Sequence, residues 1–202
     1  MNYLFMNYLF LGVNGGIGES ILNKISEIIK NFKSIDILIN SVGNANPYKS
    51  ALEMKLNEIE QSMRINFYSA LFIILQVIKK SIKIKKKLNI INISSNTIKF
   101  YGSNNNLPYL VSKNALEVAL LNLSKTYSRK LIKINIIRPG LIDSNKKNNL
   151  KNYSQKIFLK RQKLVPIGKA GDPEDISNLV NFLISNNSKF IIGQIFTVSG
   201  GE

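Results

Sequence analysis

The sequence contains no cysteine, no histidine and no tryptophan among its 202 residues. Without cysteine the chain can form neither disulfides nor thiolate metal sites. Without histidine it lacks the commonest metal ligand and the usual general base. Any acid–base chemistry must therefore use tyrosine, lysine, aspartate or glutamate side chains, and we expect no metal site.

Negative charge is also scarce, because 12 acidic residues face 28 basic ones and the formal net charge is +16. Such a charge is typical of proteins that bind nucleic acids or anionic surfaces. Lysine, however, far outnumbers arginine, the residue that forks onto phosphates and guanine edges. We therefore attribute the charge to a composition rich in isoleucine, asparagine and lysine, and expect no nucleic-acid partner. Nucleic-acid binding remains the alternative.

Long hydrophobic runs are missing as well. The longest later run, at 70–78, is much shorter than the roughly 20 residues of a membrane-spanning helix. The apolar start, MNYLFMNYLFLGV, carries no positive residue before Lys24 and leads directly into a glycine turn, so it fits a buried strand better than a signal peptide. We expect a cytoplasmic protein without a membrane partner, in which residues 1–202 form one domain.

Strands and helices alternate along the chain. Short apolar runs, typical of strands buried on both faces, lie at 8–11, 35–41, 89–94, 133–138 and 194–198. Apolar periodicity and capping residues predict helices over 16–32, 55–84, 108–130 and 172–185. The basic segment 145–170 reads as irregular, with one helix. This order predicts an α/β fold, namely a Rossmann-like parallel sheet with helices on both faces.

A glycine-rich turn, Gly-Val-Asn-Gly-Gly-Ile-Gly at 12–18, follows the first predicted strand and begins the first predicted helix. Glycines at such a turn let the backbone approach a pyrophosphate, and the helix N-terminus supplies N–H groups and partial positive charge. An ordinary strand-to-helix turn is the alternative, which the strand–turn–helix context disfavours. The candidate cofactor-binding residues here are Gly12, Asn14, Gly16, Ile17 and Gly18.

Tyr109 and Lys113 are four residues apart on a predicted helix, so the phenol and the ammonium lie on one face. A nearby ammonium is expected to lower the pKa of the phenol from about 10 towards neutrality. A tyrosine–lysine pair alone is common on helix surfaces. This pair is distinguished by Ser94 and Ser95, which lie at the carboxyl end of a predicted buried strand, the edge at which ligands bind open parallel sheets.

With these motifs the chain resembles the classical short-chain dehydrogenases/reductases (SDRs), and most nearly their 3-oxoacyl-[acyl-carrier-protein] reductase branch. The resemblance covers nearly the whole chain in order. Beyond the glycine turn, Tyr109 and Lys113, the matching motifs are Asn40-Ser41-Val42-Gly43, Arg64-Ile65-Asn66, Ile93-Ser94-Ser95, Pro139-Gly140-Leu141-Ile142-Asp143-Ser144 and the tail from Pro166 to Gly201. Ser144 stands where the family usually has threonine.

The resemblance implies an oxidoreductase that uses NAD or NADP to interconvert a carbonyl and an alcohol. Tyr109 would be the general acid/base, with Lys113 lowering its pKa and holding the nicotinamide ribose. Ser95 would polarise the substrate carbonyl, and Asn66 would brace a helix and a proton-relay water. The remaining cofactor-binding residues implied are Asn40, Val42, Gly43, Pro139, Gly140, Ile142 and Ser144.

The chain departs from the family between the glycine turn and Asn40. The family inserts two further strands and their helices there, whereas residues 19–39 hold one helix and one strand. A strand–helix–strand unit takes about 30 residues, so the missing piece is sizeable. We expect a sheet of about five or six strands, with the first strand at an edge. The crevice for a dinucleotide lies where the strand order reverses, so cofactor affinity should be weakened.

Two partner interpretations and one alternative function follow. The basic runs Lys79–Lys87 and Lys146–Lys163 could bind an acidic acyl carrier protein, although we favour a solvated surface in a lysine-rich chain as their explanation. Apolar stripes at 65–78 and 115–123 could be core, but the corresponding family helices pair between subunits, which implies a homo-oligomer. The alternative to an active reductase is a truncated, non-catalytic family member that acts as a partner subunit.

Overall fold

A computed structural model of the chain describes residues 8–11, 29, 31–45, 50–102, 105–143 and 152–202. Its sheet contains five strands, namely β1 (Tyr8–Leu11), β2 (Ile37–Asn40), β3 (Leu88–Ile93), β4 (Ile132–Pro139) and β5 (Ile195–Val198). All neighbouring strands are parallel and follow the order β1-β2-β3-β4-β5. The predicted parallel sheet is thus confirmed, and β1 is an edge strand, as expected.

Five helices occur in the described part of the chain. They are α1 (Leu56–Met63), α2 (Ser69–Lys83), α3 (Leu107–Tyr127), α4 (Asn152–Gln162) and α5 (Pro173–Ile184). A π-helical turn, Arg64–Tyr68, joins α1 to α2 without a break. Short 3-10 turns lie at Ala51–Glu53, Asn96–Ile98, Ser128–Lys130 and Asn186–Ser188. The prediction of helix over 16–32 falls almost entirely outside the described residues.

Helices cover both faces of the sheet, and side chains alternate between these faces along each strand. On one face Leu38, Ile90 and Ile134 pack against apolar residues of α2 and α3. On the other face Ile91 and Ile137 pack against α5. Continuous apolar strands therefore have two cores to fill, as a parallel sheet requires.

The continuous helix Leu56–Lys83 is long and apolar enough to cross a membrane by length and composition, with a mean hydropathy of 1.3. The sequence prediction rests on the shorter apolar run at 70–78, which is too short to span a membrane by itself. In the fold the apolar side of this helix is core: Ala70, Ile73 and Val77 are fully buried against the sheet. Packing of this kind accounts for its hydropathy without a bilayer.

Candidate active site

The candidate catalytic side chains meet at the carboxyl edge of the sheet. Ser95 follows the end of β3, and Tyr109 and Lys113 lie on the first turns of α3. Pro108 at the second helical position sets the start of α3, since its fixed φ suits the first turn and its missing N–H is not needed there. Ser95 is thereby brought to the same edge as the Tyr109–Lys113 pair of α3.

Lys113 is 2% exposed, and its ammonium donates hydrogen bonds to the carbonyl oxygens of Val42 (3.0 Å) and Ile93 (2.9 Å). These carbonyls lie after β2 and at the end of β3, so one side chain connects α3 to two strands. Burial lowers the pKa of Lys113 to about 8, while the negative charge of Glu117 acts in the opposite direction. Lys113 is therefore poised to change charge just above neutral pH.

The pKa of Tyr109 differs from the expectation. Burial raises the pKa of its phenol, and a side-chain hydrogen bond with Ser95 only partly opposes that effect. The prediction that Lys113 lowers this pKa towards neutrality is wrong in this structure, because the Lys113 ammonium is directed at two carbonyl oxygens. Tyr109 is thus a protonated phenol at neutral pH.

Ser95 is held in place by its own turn. Its Oγ donates to Thr97 Oγ1 (2.8 Å) and accepts from the Thr97 backbone N–H (3.3 Å), which caps the short turn Asn96–Ile98. Ser95 is 8% exposed and contacts Tyr109. Of the two serines in the motif, Ser95 is thus the one beside the phenol, as the sequence comparison with the family implied.

Polar groups next to Ser95 lack partners. The Oγ of Ser94 and both polar side-chain atoms of Asn96 are buried with no hydrogen-bond partner among the described residues. A buried polar group without a hydrogen bond costs about 1–3 kcal/mol. These atoms are therefore available to a ligand or to ordered water at this edge.

Gly43 approaches the pair more closely than a larger residue could. A Cβ at this position would lie 3.3 Å from Lys113 Nζ and 3.9 Å from the Tyr109 ring. Any side chain here would displace the lysine or cover the phenol. The glycine thus leaves the face of the site open beside Tyr109 and Lys113.

Asn66 is a positioning residue in this structure. Its side chain accepts from the Asn44 backbone N–H (2.7 Å) and donates to the Asn44 carbonyl oxygen (3.1 Å). Its amide also donates to Ser112 Oγ (3.0 Å), and Ser112 Oγ donates to the Tyr109 carbonyl oxygen. Asn66 lies in the middle of the π-helical turn, a feature that often marks functional sites. It braces the segment after β2 against α3, which agrees with the bracing role implied for it.

The remaining implied cofactor residues divide into three groups. Asn40 is fully buried and bonds to Asn92 Oδ1 at 2.6 Å, so its side chain acts within the sheet. Pro139 ends β4, and Gly140 packs so closely against Ser199 that a Cβ would lie 2.7 Å from Ser199 Cα. The glycine turn (Gly12, Asn14, Gly16, Ile17, Gly18) and Ser144 lie outside the described residues.

Ile142 pairs with Gly171 without using its own backbone N–H and carbonyl. It forms a parallel bridge opposite Gly171, made by Asp143 N–H to Gly171 O (2.9 Å) and Gly171 N–H to Leu141 O (2.9 Å). The N–H and carbonyl of Ile142 itself take no part in that pairing. The implied role of this backbone in orienting a nicotinamide amide is therefore compatible with the observed pairing.

Sequence reasoning missed a buried ion pair beside the site. Glu117 is 1% exposed, lies one helical turn after Lys113 on α3, and contacts Arg138 at 2.5 Å. Arg138 Nε also donates to both Glu117 oxygens, at 3.0 and 3.2 Å. Arg138 directly precedes Pro139, so the ion pair of Glu117 with Arg138 connects α3 to the end of β4. The four-residue spacing from Lys113 was the signal that could have revealed Glu117.

The basic run Lys79–Lys87 does not border this site. Lys87 precedes β3 and Ser94 follows it, so they are separated by about 20 Å of strand. A carrier protein that docks on this run would sit at the opposite edge of the sheet from Tyr109. The second run, Lys146–Lys163, lies partly outside the described residues.

Comparison with known proteins gives a consistent result. A family model described as enoyl-(acyl carrier protein) reductase matches residues 18–202. The 3-oxoacyl-[acyl-carrier-protein] reductase FabG of Buchnera aphidicola subsp. Schizaphis graminum is 34% identical over 183 residues, which covers 91% of this chain and 72% of the relative. The FabG of Aquifex aeolicus is 30% identical, over 92% of this chain and 73% of the relative.

A solved structure agrees with the fold. A short chain dehydrogenase from Bacillus anthracis superposes with a TM-score of 0.75 at 26% sequence identity, covering 90% of this chain and 70% of that chain. The chain thus spans about 70% of the length of each of these proteins.

The Glu117–Arg138 pair should contribute measurably to folding. Arg138→Met leaves a buried carboxylate without a partner, so we expect the free energy of unfolding to fall by about 3–5 kcal/mol. The double variant Glu117→Leu/Arg138→Met should recover most of that loss, because no charge remains buried. Urea unfolding followed by circular dichroism measures both. Arg161→Met, at an exposed position on α4, is the control, and an Arg138→Met variant as stable as this control would contradict the assignment.

Proposed function

We infer that this chain, which belongs to the short-chain dehydrogenase/reductase family, is a nicotinamide-dependent oxidoreductase that interconverts a carbonyl and an alcohol. The observation that carries the inference is the contact of Tyr109 with Ser95, beside the buried ammonium of Lys113. A phenol, a hydroxyl and a cation at the ligand-binding edge of a parallel sheet supply what a carbonyl oxygen needs in order to gain a proton.

In the direction of reduction, Tyr109 donates a proton to the carbonyl oxygen of the substrate. The side-chain hydrogen bond with Ser95 opposes the rise in the pKa of this phenol that burial causes, and so favours release of the proton. When substrate binds, Ser95 turns its one hydroxyl proton from Thr97 Oγ1 to the same substrate oxygen and thereby polarises the carbonyl. The Thr97 backbone N–H, which donates to Ser95 Oγ at 3.3 Å, keeps the hydroxyl oxygen in place. The Lys113 ammonium stays on the Val42 and Ile93 carbonyl oxygens during the transfer.

The described residues fit the nicotinamide end of the cofactor. Gly43 leaves the approach to Lys113 clear, and the backbone N–H and carbonyl of Ile142 take no part in its pairing with Gly171. Lys113 would hold the nicotinamide ribose, and the backbone of Ile142 would orient the carboxamide. When bound, the reduced nicotinamide supplies the hydride, and the protein supplies orientation and electrostatics. We leave the choice between NAD and NADP open.

The adenosine end is supported less well. Among the described strands the order follows the chain order throughout, so this part of the sheet has no point at which the order reverses. In open α/β sheets that reversal forms the crevice for a dinucleotide. This observation favours a second candidate function, a non-catalytic family member that serves as a partner subunit.

We propose a 3-oxoacyl thioester, carried by an acyl carrier protein, as the substrate class. The support is that the FabG relatives are named 3-oxoacyl-[acyl-carrier-protein] reductases. A cytoplasmic location fits the burial of Ile73, Ile74 and Val77, because the apolar side of the Leu56–Lys83 helix is already used by the core.

Replacing the Tyr109 hydroxyl should separate catalysis from binding. Tyr109→Phe is expected to reduce kcat for a 3-oxoacyl thioester by at least about 100-fold, since general acid catalysis contributes that much or more. NADH and NADPH affinity, measured by fluorescence titration, should be unchanged. Tyr127→Phe, on the last turn of the same helix, is the matched control. A wild-type protein that binds neither cofactor at millimolar concentration would contradict the proposal and support the non-catalytic candidate.

The pH dependence of reduction should follow Lys113. Its pKa of about 8 predicts that kcat/KM falls above that pH as the ammonium is lost. Because the Glu117 carboxylate raises this pKa, Glu117→Gln should move the alkaline limb to lower pH. Glu174→Gln, at an exposed position on α5, provides the control profile. Identical limbs in wild type and Glu117→Gln would show that Lys113 does not determine the profile.

We also propose that the protein forms a homo-oligomer through α2 and α3. Large apolar side chains stay exposed on these helices and the turn before them, namely Tyr68 (57%), Phe72 (42%), Val111 (46%) and Val118 (62%). Monomeric proteins rarely leave a contiguous apolar surface of this kind uncovered. Light scattering should give a mass above that of one chain, and Val118→Glu should shift it towards the monomer. A wild-type mass of 22.8 kDa would refute the assembly.

A further inference from the structure

A cavity lies at the amino-terminal edge of the sheet, away from the candidate active site. Its volume is about 590 Å³, which is within the usual range of small-molecule sites. It is bordered by the segments that lead into β2, β3 and β4 and by the segment that follows α5. We call it the edge cavity.

The interior of the edge cavity is mainly apolar. Ile37, Ile132, Ile184 and Ile192 line it, together with Leu131. Ile37 and Ile132 belong to β2 and β4, Leu131 and Ile192 precede β4 and β5, and Ile184 ends α5. A cavity of this character favours a ligand with an apolar body.

Leu131 at the rim adopts an unfavourable backbone conformation. Its φ of 65° and ψ of 24° are left-handed, and its side chain is 50% exposed. A bulky residue is uncommon in this region of backbone conformation, which Leu131 adopts where it ends the 3-10 turn Ser128–Lys130. Glycine or asparagine would relieve the backbone, so the leucine contributes apolar surface to the rim at a cost in stability.

The mouth of the edge cavity is basic. Lys87 and Lys189 are exposed lining residues, and Asp36 is the acidic residue among those that line it. A third lysine, Lys133, is already occupied, since its ammonium donates to the Leu183 and Ser188 carbonyl oxygens. Two ammonium groups are therefore placed to meet an anion at the mouth.

Asn89 adds an unmet polar requirement. Its Nδ2 donates to the Leu183 carbonyl oxygen at 3.0 Å, which fixes the orientation of the amide. Its Oδ1 is buried and has no hydrogen-bond partner among the described residues. Asn89 lies two residues after Lys87 on the same side of β3, hence about 7 Å further along the strand. A donor on the ligand at that separation from its anionic group would satisfy the oxygen.

We propose that the edge cavity is a binding site for a small amphiphilic anion, with a carboxylate at one end, an apolar body and a hydrogen-bond donor at the other end. The carboxylate meets Lys87 and Lys189, the body contacts Leu131 and the isoleucines, and the donor reaches Asn89 Oδ1. The site stands independently of the proposed reductase activity, because the length of β3 separates it from Ser95.

Two probes that differ in one hydroxyl test the site. Calorimetric titration of the full chain with 3-(4-hydroxyphenyl)propanoate should give saturable binding. With 3-phenylpropanoate, which lacks the phenol, binding should be weaker by roughly two- to tenfold, the usual value of one hydrogen bond. In Asn89→Leu the two probes should bind equally.

Variants of the wall and the mouth locate the ligand. Lys87→Gln/Lys189→Gln should weaken binding by about fivefold, as expected for two exposed ion pairs, whereas Lys86→Gln, an exposed lysine in the same loop, should not. Leu131→Asn should weaken binding without lowering the melting temperature, because the left-handed strain is relieved. That combination distinguishes a lost contact from a lost fold.

Three results would overturn the proposal. The first is the absence of saturable binding at millimolar probe. The second is binding that is unchanged in Lys87→Gln/Lys189→Gln and in Leu131→Asn. The third is binding that is lost in Tyr109→Phe, which would place the probe at the carboxyl edge instead. Cofactor titration reports separately on the reductase proposal, so the two can fail independently.

Discussion

The site depends on the hydrogen bonds from the Lys113 ammonium to the carbonyl oxygens of Val42 and Ile93. Burial of a lysine that is only 2% exposed costs desolvation free energy, which the two carbonyls together with Glu117 offset. Because the carbonyls belong to the ends of two neighbouring strands, the lysine fixes α3 relative to both. Tyr109 lies one turn earlier on α3, so the same two hydrogen bonds of Lys113 also fix the position of Tyr109.

A second layer of polar contacts makes this anchor rigid. Asn66 joins the backbone of Asn44 to Ser112 on α3, and the Glu117–Arg138 pair joins the same helix to β4. Helix α3 is therefore fixed against the segments at the ends of β2, β3 and β4 by hydrogen bonds and an ion pair from buried side chains. Rigid support of this kind is what orients a proton donor without reorganisation during the reaction.

Much of this could be predicted from the sequence, for identifiable reasons. Apolar runs ended by glycine, proline or serine predicted the strands, and the Tyr109–Lys113 spacing together with Ser95 predicted the candidate active site. The pKa of Tyr109 could not be predicted, because it depends on how deeply the phenol is buried and where the Lys113 ammonium points. Glu117 and Arg138 were missed because their pairing joins a helix to a strand 21 residues away.

The order of the strands has a consequence for how the chain folds. Each strand pairs with the one that comes next in the sequence, so the described sheet contains no pairing that must wait for a later strand to be inserted between earlier ones. The paired residues are nonetheless far apart in the chain, from 29 positions for Tyr8 and Ile37 to 59 for Ile136 and Ile195, and parallel pairings at such separations slow folding. During synthesis the sheet can grow at one edge as the chain leaves the ribosome, each strand completing its partner before the next arrives.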